Sequence, residues 1–310
     1  MVVGDVILDT YLDCIPLGIA NEAPIPLLQI SKQTHAPGGA ANVANNLARL
    51  GVQTHLVGMI GQDPEAHLLS NLLSDAGIRF YPLVSNRPTI HKTRLLSGKH
   101  YYLRLDEEDS PAATQQELTA LSDVLRGTIA NANLVVVSDY DKGMVTAASA
   151  QSMESMARDH GRKIVADLKP ENVGYWRDLD VITPNLAEAR ALRSLLSLQC
   201  PENSDESELA RSLSRALACD VVLKLAERGI RVANQFGNVI SFPALCNRPS
   251  NTSGAGDTVL STLAAVLAVG GRTEEAAYLA NMAASVAVSY QSTHAVSADE
   301  LRQRLVVSTA

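Results

Sequence analysis

The four cysteines, Cys14, Cys200, Cys219 and Cys246, are few, and no two stand in a C-x-x-C pair. That spacing excludes a compact zinc site and the disulfide framework of a small secreted domain, and it reads as thiols in a reducing compartment. Positive charge is scarce too: 26 Lys and Arg against 33 Asp and Glu leave a net charge of -7. Such a balance offers no continuous basic face for a nucleic-acid backbone, so an anionic partner has to be small and held by a few local donors. The longest apolar runs, near 259–269 and 282–288, are interrupted by serine. They fall short of the roughly 20 residues that span a bilayer and are expected to be buried helices. Met1-Val2-Val3-Gly4-Asp5 contains neither a basic segment nor a cleavage site, so no signal peptide is expected. The expected location is the cytoplasm, with no membrane partner; the abrupt start suggests that a few natural residues precede Met1. The seven histidines are scattered without an H-E-x-x-H. Also missing are a G-x-G-x-x-G after the first strand and a G-x-x-x-x-G-K-[ST], which argues against a dinucleotide dehydrogenase and a P-loop NTPase.

Present instead, over 310 residues of which 46% are apolar, is an alternation of strands and helices. Apolar strands are expected at 2–8, 53–60, 134–138, 163–167, 181–183 and 221–225. Between them helices are expected at 40–50, 65–76, 115–129, 147–160, 186–196 and 207–218. Strands at 230–235 and 239–242 flank Gly237-Asn238, and helices near 255–268, 273–289 and 298–306 close the chain. This order implies an α/β fold with a mostly parallel sheet covered on both faces. Residues at about 10–36 and 88–106 break the rhythm with strands alone, among them 24–31, 90–97 and 101–105. They are expected to leave the main body as a lid, within one domain covering 1–310. No Pro-, Gly- or Ser-rich linker, repeat or low-complexity tract divides the chain.

Two stretches carry chemistry. Asn251-Thr252-Ser253-Gly254-Ala255-Gly256-Asp257 precedes an apolar helix. Small residues there let backbone N–H groups crowd around an anion at the helix start, and an Asp in the first turn faces the same anion. Phosphoryl transfer needs that pairing of donors and a proton-accepting carboxylate. An Asp favoured by the helix dipole would look the same in isolation. The second stretch is Pro37-Gly38-Gly39-Ala40-Ala41-Asn42-Val43-Ala44. Its glycines admit a ligand close to the backbone, and Asn42 can donate to and accept from sugar hydroxyls; a tight turn packing a helix on a sheet fits equally well. Lys92, Arg94 and Arg104 are cations that a phosphorylated substrate would need, or cations of an exposed strand. Asp139 and Lys142 follow a buried strand, where ligands of open α/β sheets gather, or else begin a turn. Lys169 reaches a phosphate or sits in a loop, and the acidic run 106–109 reads as a solvated turn.

Together, Gly-Gly-x-x-Asn at 38–42 and Gly-Ala-Gly-Asp at 254–257 resemble the two signatures of the ribokinase-like PfkB carbohydrate kinases. Thr183-Pro184-Asn185-Leu186-Ala187-Glu188 is similar to the family's Asn-x-x-Glu segment, and Asp167-Leu168-Lys169-Pro170 to its Asp-Pro-Lys segment. The resemblance implies a three-layer sandwich with a small β lid, and an enzyme using ATP and magnesium on a sugar. It implies Asp257 as base with Gly254, Ala255 and Gly256 as anion hole. Asn185, Leu186, Ala187 and Glu188 would organise ATP, with Glu188 acting indirectly on magnesium. Lys224, Glu227, Gly229 and Asn281 would lie beside the nucleotide. Asp5, Asp9, Gly38, Gly39 and Asn42 would hold sugar hydroxyls, and Lys92, Arg104, Asp139 and Lys142 would complete the substrate side.

Within the family, the kinases for D-glycero-D-manno-heptose 7-phosphate are resembled most. The matching stretches include Gly4-Asp5-Val6-Ile7-Leu8-Asp9-x-Tyr11, Glu22-Ala23-Pro24-Ile25-Pro26, 89–94, 103–106, Ser138-Asp139-Tyr140-x-Lys142-Gly143 and Ala280-Asn281. That implies phosphorylation of the C1 hydroxyl in ADP-heptose supply for lipopolysaccharide, and a homodimer through the lid strands. The nucleotidyl-transferase domain fused to some members is not expected in this chain. The chain departs from the pattern at Asn251, usually Asp, which bears on a monovalent cation. It departs also at Lys224, usually Thr, at Gly18, where the heptose kinases have Arg, and at Ser292-Thr293-His294-Ala295. A kinase for another sugar or nucleoside, and a sugar-phosphate-binding protein without turnover, remain as alternatives.

Overall fold

The computed structural model describes residues 1–98, 100–201, 205–246, 252–290 and 293–309. In chain order the elements begin with β1 (Val2–Gly4), β2 (Val6–Ile19), β3 (Pro26–Gly39), α1 (Ala40–Arg49), β4 (His55–Ile60), α2 (Pro64–Asp75) and β5 (Arg79–Val84). Next come β6 (His91–Ser97), β7 (His100–Glu107), α3 (Gln115–Thr128), β8 (Leu134–Ser138), α4 (Ala147–Asp159) and β9 (Lys163–Asp167). The rest is β10 (Val181–Ile182), α5 (Leu186–Leu195), α6 (Glu206–Leu217), β11 (Asp220–Lys224), β12 (Ile230–Ala233), β13 (Val239–Phe242), α7 (Ala255–Ala268), α8 (Thr273–Ala287) and α9 (Ala298–Thr309).

Among the described residues the larger sheet has nine strands in the order β13-β12-β11-β10-β9-β8-β1-β4-β5. From β5 to β11 every pairing is parallel; β12 and β13 are added antiparallel at one edge. Because side chains alternate along a strand, neighbouring residues enter opposite cores. Val3, Val57, Val135 and Val137 pack with α3, α4, α5 and α6 through residues such as Leu125, Met153, Leu192 and Leu213. Val2, Leu56, Val136 and Val222 pack on the other face, under α1, α2, α7 and α8 through residues such as Val43, Leu69, Leu263 and Ala280. The outcome is the three-layer sandwich that the alternating pattern implies.

The expected first strand, 2–8, is instead two strands in two sheets. The chain breaks at Asp5, then runs out along β2, 14 residues long, and returns along the equally long β3. β6 pairs parallel to β2 and β7 antiparallel to β6, making a four-stranded sheet in the order β3-β2-β6-β7. The two stretches that break the α/β rhythm therefore pair with each other. Its outer part leaves Ile15, Leu17, Ile19, Leu27, Ile30 and Leu103 exposed. No helix among the described residues is long and apolar enough to cross a membrane.

The return from β3 into α1 depends on Gly39, whose φ is 56° and ψ -135°. A Cβ there would lie 2.4 Å from the carbonyl oxygen of Asp5, which itself accepts the N–H of Ala40. Both the left-handed φ and the close approach demand glycine. Gly39→Ala is expected to cost about 3 kcal/mol or more, read as a lower midpoint in urea unfolding.

Candidate active site

The C-terminal ends of β1, β8, β9, β10 and β11 lie side by side, because their strands are parallel and in register. Over this edge α7 begins. Its cap, Gly254, has a φ of 77°, and the first bond of the helix runs from the N–H of Thr258 to the carbonyl of Gly254. The N–H groups of Gly256 and Asp257 consequently have no acceptor within the helix. Asp257 is 5% exposed. Its Oδ2 accepts from Nδ2 of Asn42 at 2.7 Å, and its Oδ1 from the hydroxyl of Tyr140 at 2.7 Å. Asn42 is itself oriented, since Nδ2 of Asn46 donates to its Oδ1 at 3.2 Å. Burial, with a smaller push from Asp167, raises the Asp257 carboxyl from the ordinary 3.8 to about 6, against the pull of its two donors and Lys224.

Beside this acid stands an ion pair. The Lys224 ammonium lies 2.7 Å from Oδ2 of Asp167, and a Cβ on Gly256 would be 3.4 Å from that ammonium. Burial raises the Asp167 carboxyl. A second pair joins Lys169 to Oε1 of Glu188 at 2.8 Å. Glu188 also closes the capping box of α5, taking the N–H of Asn185 on Oε2 at 2.9 Å. Burial alone would raise Glu188, but that N–H and the Lys169 ammonium hold it below its ordinary value.

A cavity of about 710 Å³ opens between the start of α7, the segment after β11 and α8. Asn185, Leu186, Ala187, Lys224, Glu227 and Gly229 line it, as do Ala255, Gly256 and Asn281. The residues expected beside a nucleotide thus share one cavity with part of the expected anion hole. Gly229 has a φ of 82° and no room for a Cβ, which would lie 2.1 Å from the carbonyl oxygen of Phe242. Asn281 donates Nδ2 to the carbonyl of Pro243 at 2.8 Å and so fixes one wall. Gly254, Asp257 and Glu188, the last paired with Lys169, do not line the cavity. Among the described residues no group of three or more His, Cys, Asp and Glu gathers as a metal cage. Two carboxylates, each neutralised by a lysine, fit a magnesium ion held mainly by phosphate oxygens and water rather than by the protein.

The residues expected on the sugar side divide. Asn42 touches Asp257, and Gly254 lies against Asn42. Asp9 pairs with Arg94 at 2.5 Å, and a Cβ on Gly38 would collide with its Oδ2 at 2.6 Å. Asp5 and Asp139 turn inward. Asp5 accepts the N–H groups of Tyr140, Lys142 and Met144, and burial raises its carboxyl to about 6. Asp139 accepts from the N–H groups of Asp141 and Lys169 and from Nδ2 of Asn172. Both carboxylates build the turn after β8. Lys92, Arg104 and Lys142 form a separate group, meeting Asp106 and Glu108: Lys142 to Glu108 at 2.6 Å, Lys92 to Asp106 at 3.0 Å, Arg104 to Asp106 at 2.8 Å. The run 106–109 is therefore not a freely solvated turn. Asp106 and Glu107 end β7, and the three cations draw Asp106 and Glu108 into a network. Gly18 lies exposed far along β2, with nothing within 4 Å of an added Cβ. Asn251 and Ser292 lie outside the described residues.

Three contributors were not among the expected site residues. Asn46 follows Asn42 by four positions on the same helical face, a spacing that signals the contact. For Tyr140 the local sequence holds no signal that its hydroxyl would reach a residue 117 positions away. Thr293 belongs here as well: its hydroxyl meets that of Tyr11 at 2.9 Å, joining β2 to the segment before α9.

A family model for pfkB family carbohydrate kinases matches residues 1–300. The bifunctional protein HldE of Azorhizobium caulinodans is 36% identical over 307 residues, covering 98% of this chain and 64% of the relative. HldE of Pseudomonas entomophila is 37% identical over 313 positions, covering 98% of this chain and 63% of the relative. The chain thus spans less than two thirds of the length of these curated relatives. Among solved structures, phosphofructokinase-2 from Escherichia coli in complex with substrates and products has a TM-score of 0.81 at 19% identity, covering 100% of this chain and 99% of that one. A ribokinase from Thermotoga maritima has a TM-score of 0.75 at 20% identity, with 98% of each chain covered. The likeness in structure shows a ribokinase-like fold.

The raised carboxyl of Asp257 has a consequence for stability. With an unfolded value of 3.8 and a folded value of about 6, the native state favours the neutral acid. Stability therefore falls as pH rises from about 4 to about 6, and the full cost, about 3 kcal/mol, is present at neutral pH. Asp257→Asn keeps an acceptor for Asn42 and a donor toward the Tyr140 oxygen while removing the charge. It is expected to gain about 1–2 kcal/mol at pH 7.5, with little gain at pH 4, in thermal unfolding at the two pH values.

Proposed function

Because the chain belongs to the pfkB family of carbohydrate kinases, we propose that it moves the γ-phosphoryl group of ATP onto a sugar hydroxyl, with Asp257 as the base. The observation that carries this reading is a buried carboxylate with a raised proton affinity beside a helix start that forms the wall of a nucleotide-sized cavity. ATP would occupy that cavity, its terminal phosphate facing the N–H groups at the start of α7 and the Lys224 ammonium. The sugar would lie on the Asn42 side, under the second sheet acting as a lid, which excludes water. In the transfer the hydroxyl oxygen bonds to the γ-phosphorus and the bond to the β,γ-bridging oxygen breaks, leaving its electron pair on ADP. The hydroxyl proton passes to Asp257. Magnesium, when bound with ATP, supplies positive charge to the phosphate oxygens. Asp167 and Glu188 would hold it through water, while the Lys169 and Lys224 ammonium groups would face phosphate oxygens.

For the acceptor, the stretches shared with the heptose kinases favour the C1 hydroxyl of D-glycero-D-manno-heptose 7-phosphate, in ADP-heptose supply for lipopolysaccharide. Lys92, Arg104 and Lys142 supply positive charge near the lid for a phosphate that would compete with Asp106 and Glu108. A second reading, a kinase for another sugar, is favoured by Gly18, which places no cation on β2 where the heptose kinases have arginine. The exposed apolar residues of the second sheet favour a homodimer in which two lids cover each other.

ADP release from ATP and magnesium is expected with heptose 7-phosphate and at most weakly with ribose, fructose 6-phosphate or adenosine; the reverse order selects the second reading. Asp257→Asn is expected to lower kcat about 10³-fold. In the wild type kcat/KM should fall below pH of about 6, as Asp257 takes up a proton and ceases to accept one. Ligand binding without ADP release from any sugar would overturn the kinase reading.

A further inference from the structure

Tyr140 stands in the turn after β8, and its phenol is the second donor to Asp257. That turn is pinned from three directions. Asp5 accepts three of its N–H groups, and Asp139 ties it to the residues after β9. From the far side comes Arg87, held in a buried ion pair with Glu117 at 3.1 Å. Its Nη1 donates to the carbonyls of Pro111 at 2.8 Å and Lys142 at 3.4 Å. Gly143 has a φ of 93° and packs so tightly that a Cβ would lie 2.0 Å from the Pro111 carbonyl oxygen. Two buried carboxylates and a buried guanidinium thus hold the turn that carries the Tyr140 hydroxyl.

That hydroxyl has a fixed role. Burial, and then the charges of Asp257, Asp167 and Asp9, hold the phenol's ionisation well above its ordinary value, so it remains a donor. Asn42 mirrors it on the other oxygen, its own orientation set by Asn46. Each carboxylate oxygen thereby accepts one hydrogen bond and keeps further acceptor capacity. The charged groups facing Asp257 are Asp167 from the end of β9, which favours its protonation, and Lys224 from the end of β11, which opposes it. From α1 the facing group is the neutral amide of Asn42.

We propose that Tyr140 is a positioning residue for the base: its hydroxyl clamps Oδ1 of Asp257, fixing the direction of the carboxylate and favouring the ionised form that accepts the sugar's proton. This rests on the reading of Asp257 as base. The clamp makes two contributions that a merely space-filling ring would not, one to orientation and one to proton affinity.

The test is a carboxyl titration of the whole chain labelled with [4-¹³C]aspartate, the Asp257 signal being assigned by its absence in Asp257→Asn. Tyr140→Phe is expected to raise the Asp257 titration by about one pH unit, since a donor to the charged form is lost. With ATP and heptose 7-phosphate it should also move the acid limb of kcat/KM upward by the same amount. The same variant should lower kcat about tenfold and change KM for ATP less than about twofold. Replacing Tyr140 with 3-fluorotyrosine, which keeps the shape and strengthens the donor, should move the titration the opposite way. An unchanged titration in both would overturn the proposal, and if the Phe variant does not fold, the fluorinated protein decides alone. Should Asp257→Asn retain turnover, the base assignment fails, while the titration still reports whether the clamp exists.

Discussion

A carboxylate buried at the start of a helix is the constraint around which the molecule is arranged. Asp257 can be ionised there only because donors and a cation reach it from remote parts of the chain: Asn42 from α1, Tyr140 from the turn after β8, and Lys224 nearby at the end of β11. No local segment could supply all three. The parallel sheet does so, because parallel strands in register bring their C-terminal ends to one edge, however far apart they lie in sequence. The nine-stranded sheet is in this sense a device for gathering charge. The helices on its two faces keep water from the apolar interior, and a cavity remains where the strand ends, α7 and α8 meet.

The same arrangement shows how the polar interior is kept tolerable. Each carboxylate near the cavity has a compensating group: Asp167 has Lys224, Glu188 has Lys169 and the amide of Asn185, and Asp5 and Asp139 have backbone N–H groups and the amide of Asn172. Asp257 is compensated less completely. Its two donors and the nearby Lys224 pull its proton affinity down, but burial, with a smaller push from Asp167, raises it further. A residue that is costly to keep charged and close to a cavity is better explained by chemistry than by folding, since a helix start needs no acid that deep. The contrast with Asp5 is instructive. Its carboxyl is raised as far, but three backbone donors engage it, so its oxygens are taken up in building the turn.

Much of this was legible in the sequence. The alternation of apolar strands and helices is the direct trace of a sheet buried on both faces, and the elements from β4 to α9 lie within a few residues of where periodicity puts them. The glycines at 38, 39, 254 and 256 mark places where backbones crowd, and two of them do so in the structure: Gly39 against Asp5, Gly254 against Asn42. Less visible was what a polar residue does with its hydrogen-bonding capacity. Nothing in the pattern shows that Asp5 and Asp139 accept backbone amides, or that Lys92 and Lys142 pair with Glu108. Tyr140 is the converse, a residue that the sequence marks only as part of a shared stretch and that geometry places on the acid. Sequence periodicity reports burial well because burial repeats along an element. Long-range side-chain pairing has no period and leaves no such trace.

Strand β1 is the first segment of the chain and lies between β4 and β8 in the sheet. Its second neighbour ends at Ser138, so during synthesis the earliest strand must wait for more than a hundred further residues before both its edges are paired. Until then the nascent chain exposes an apolar ribbon with an open ladder of N–H and C=O groups, the kind of surface that recruits other chains. A ribosome stalled between β4 and β8 would release a product prone to aggregate, whereas one stalled after β8 would release a chain with its middle strand already closed. The order in which the polypeptide emerges therefore leaves β1 with an open edge until β8 is made, and β8 with one until β9.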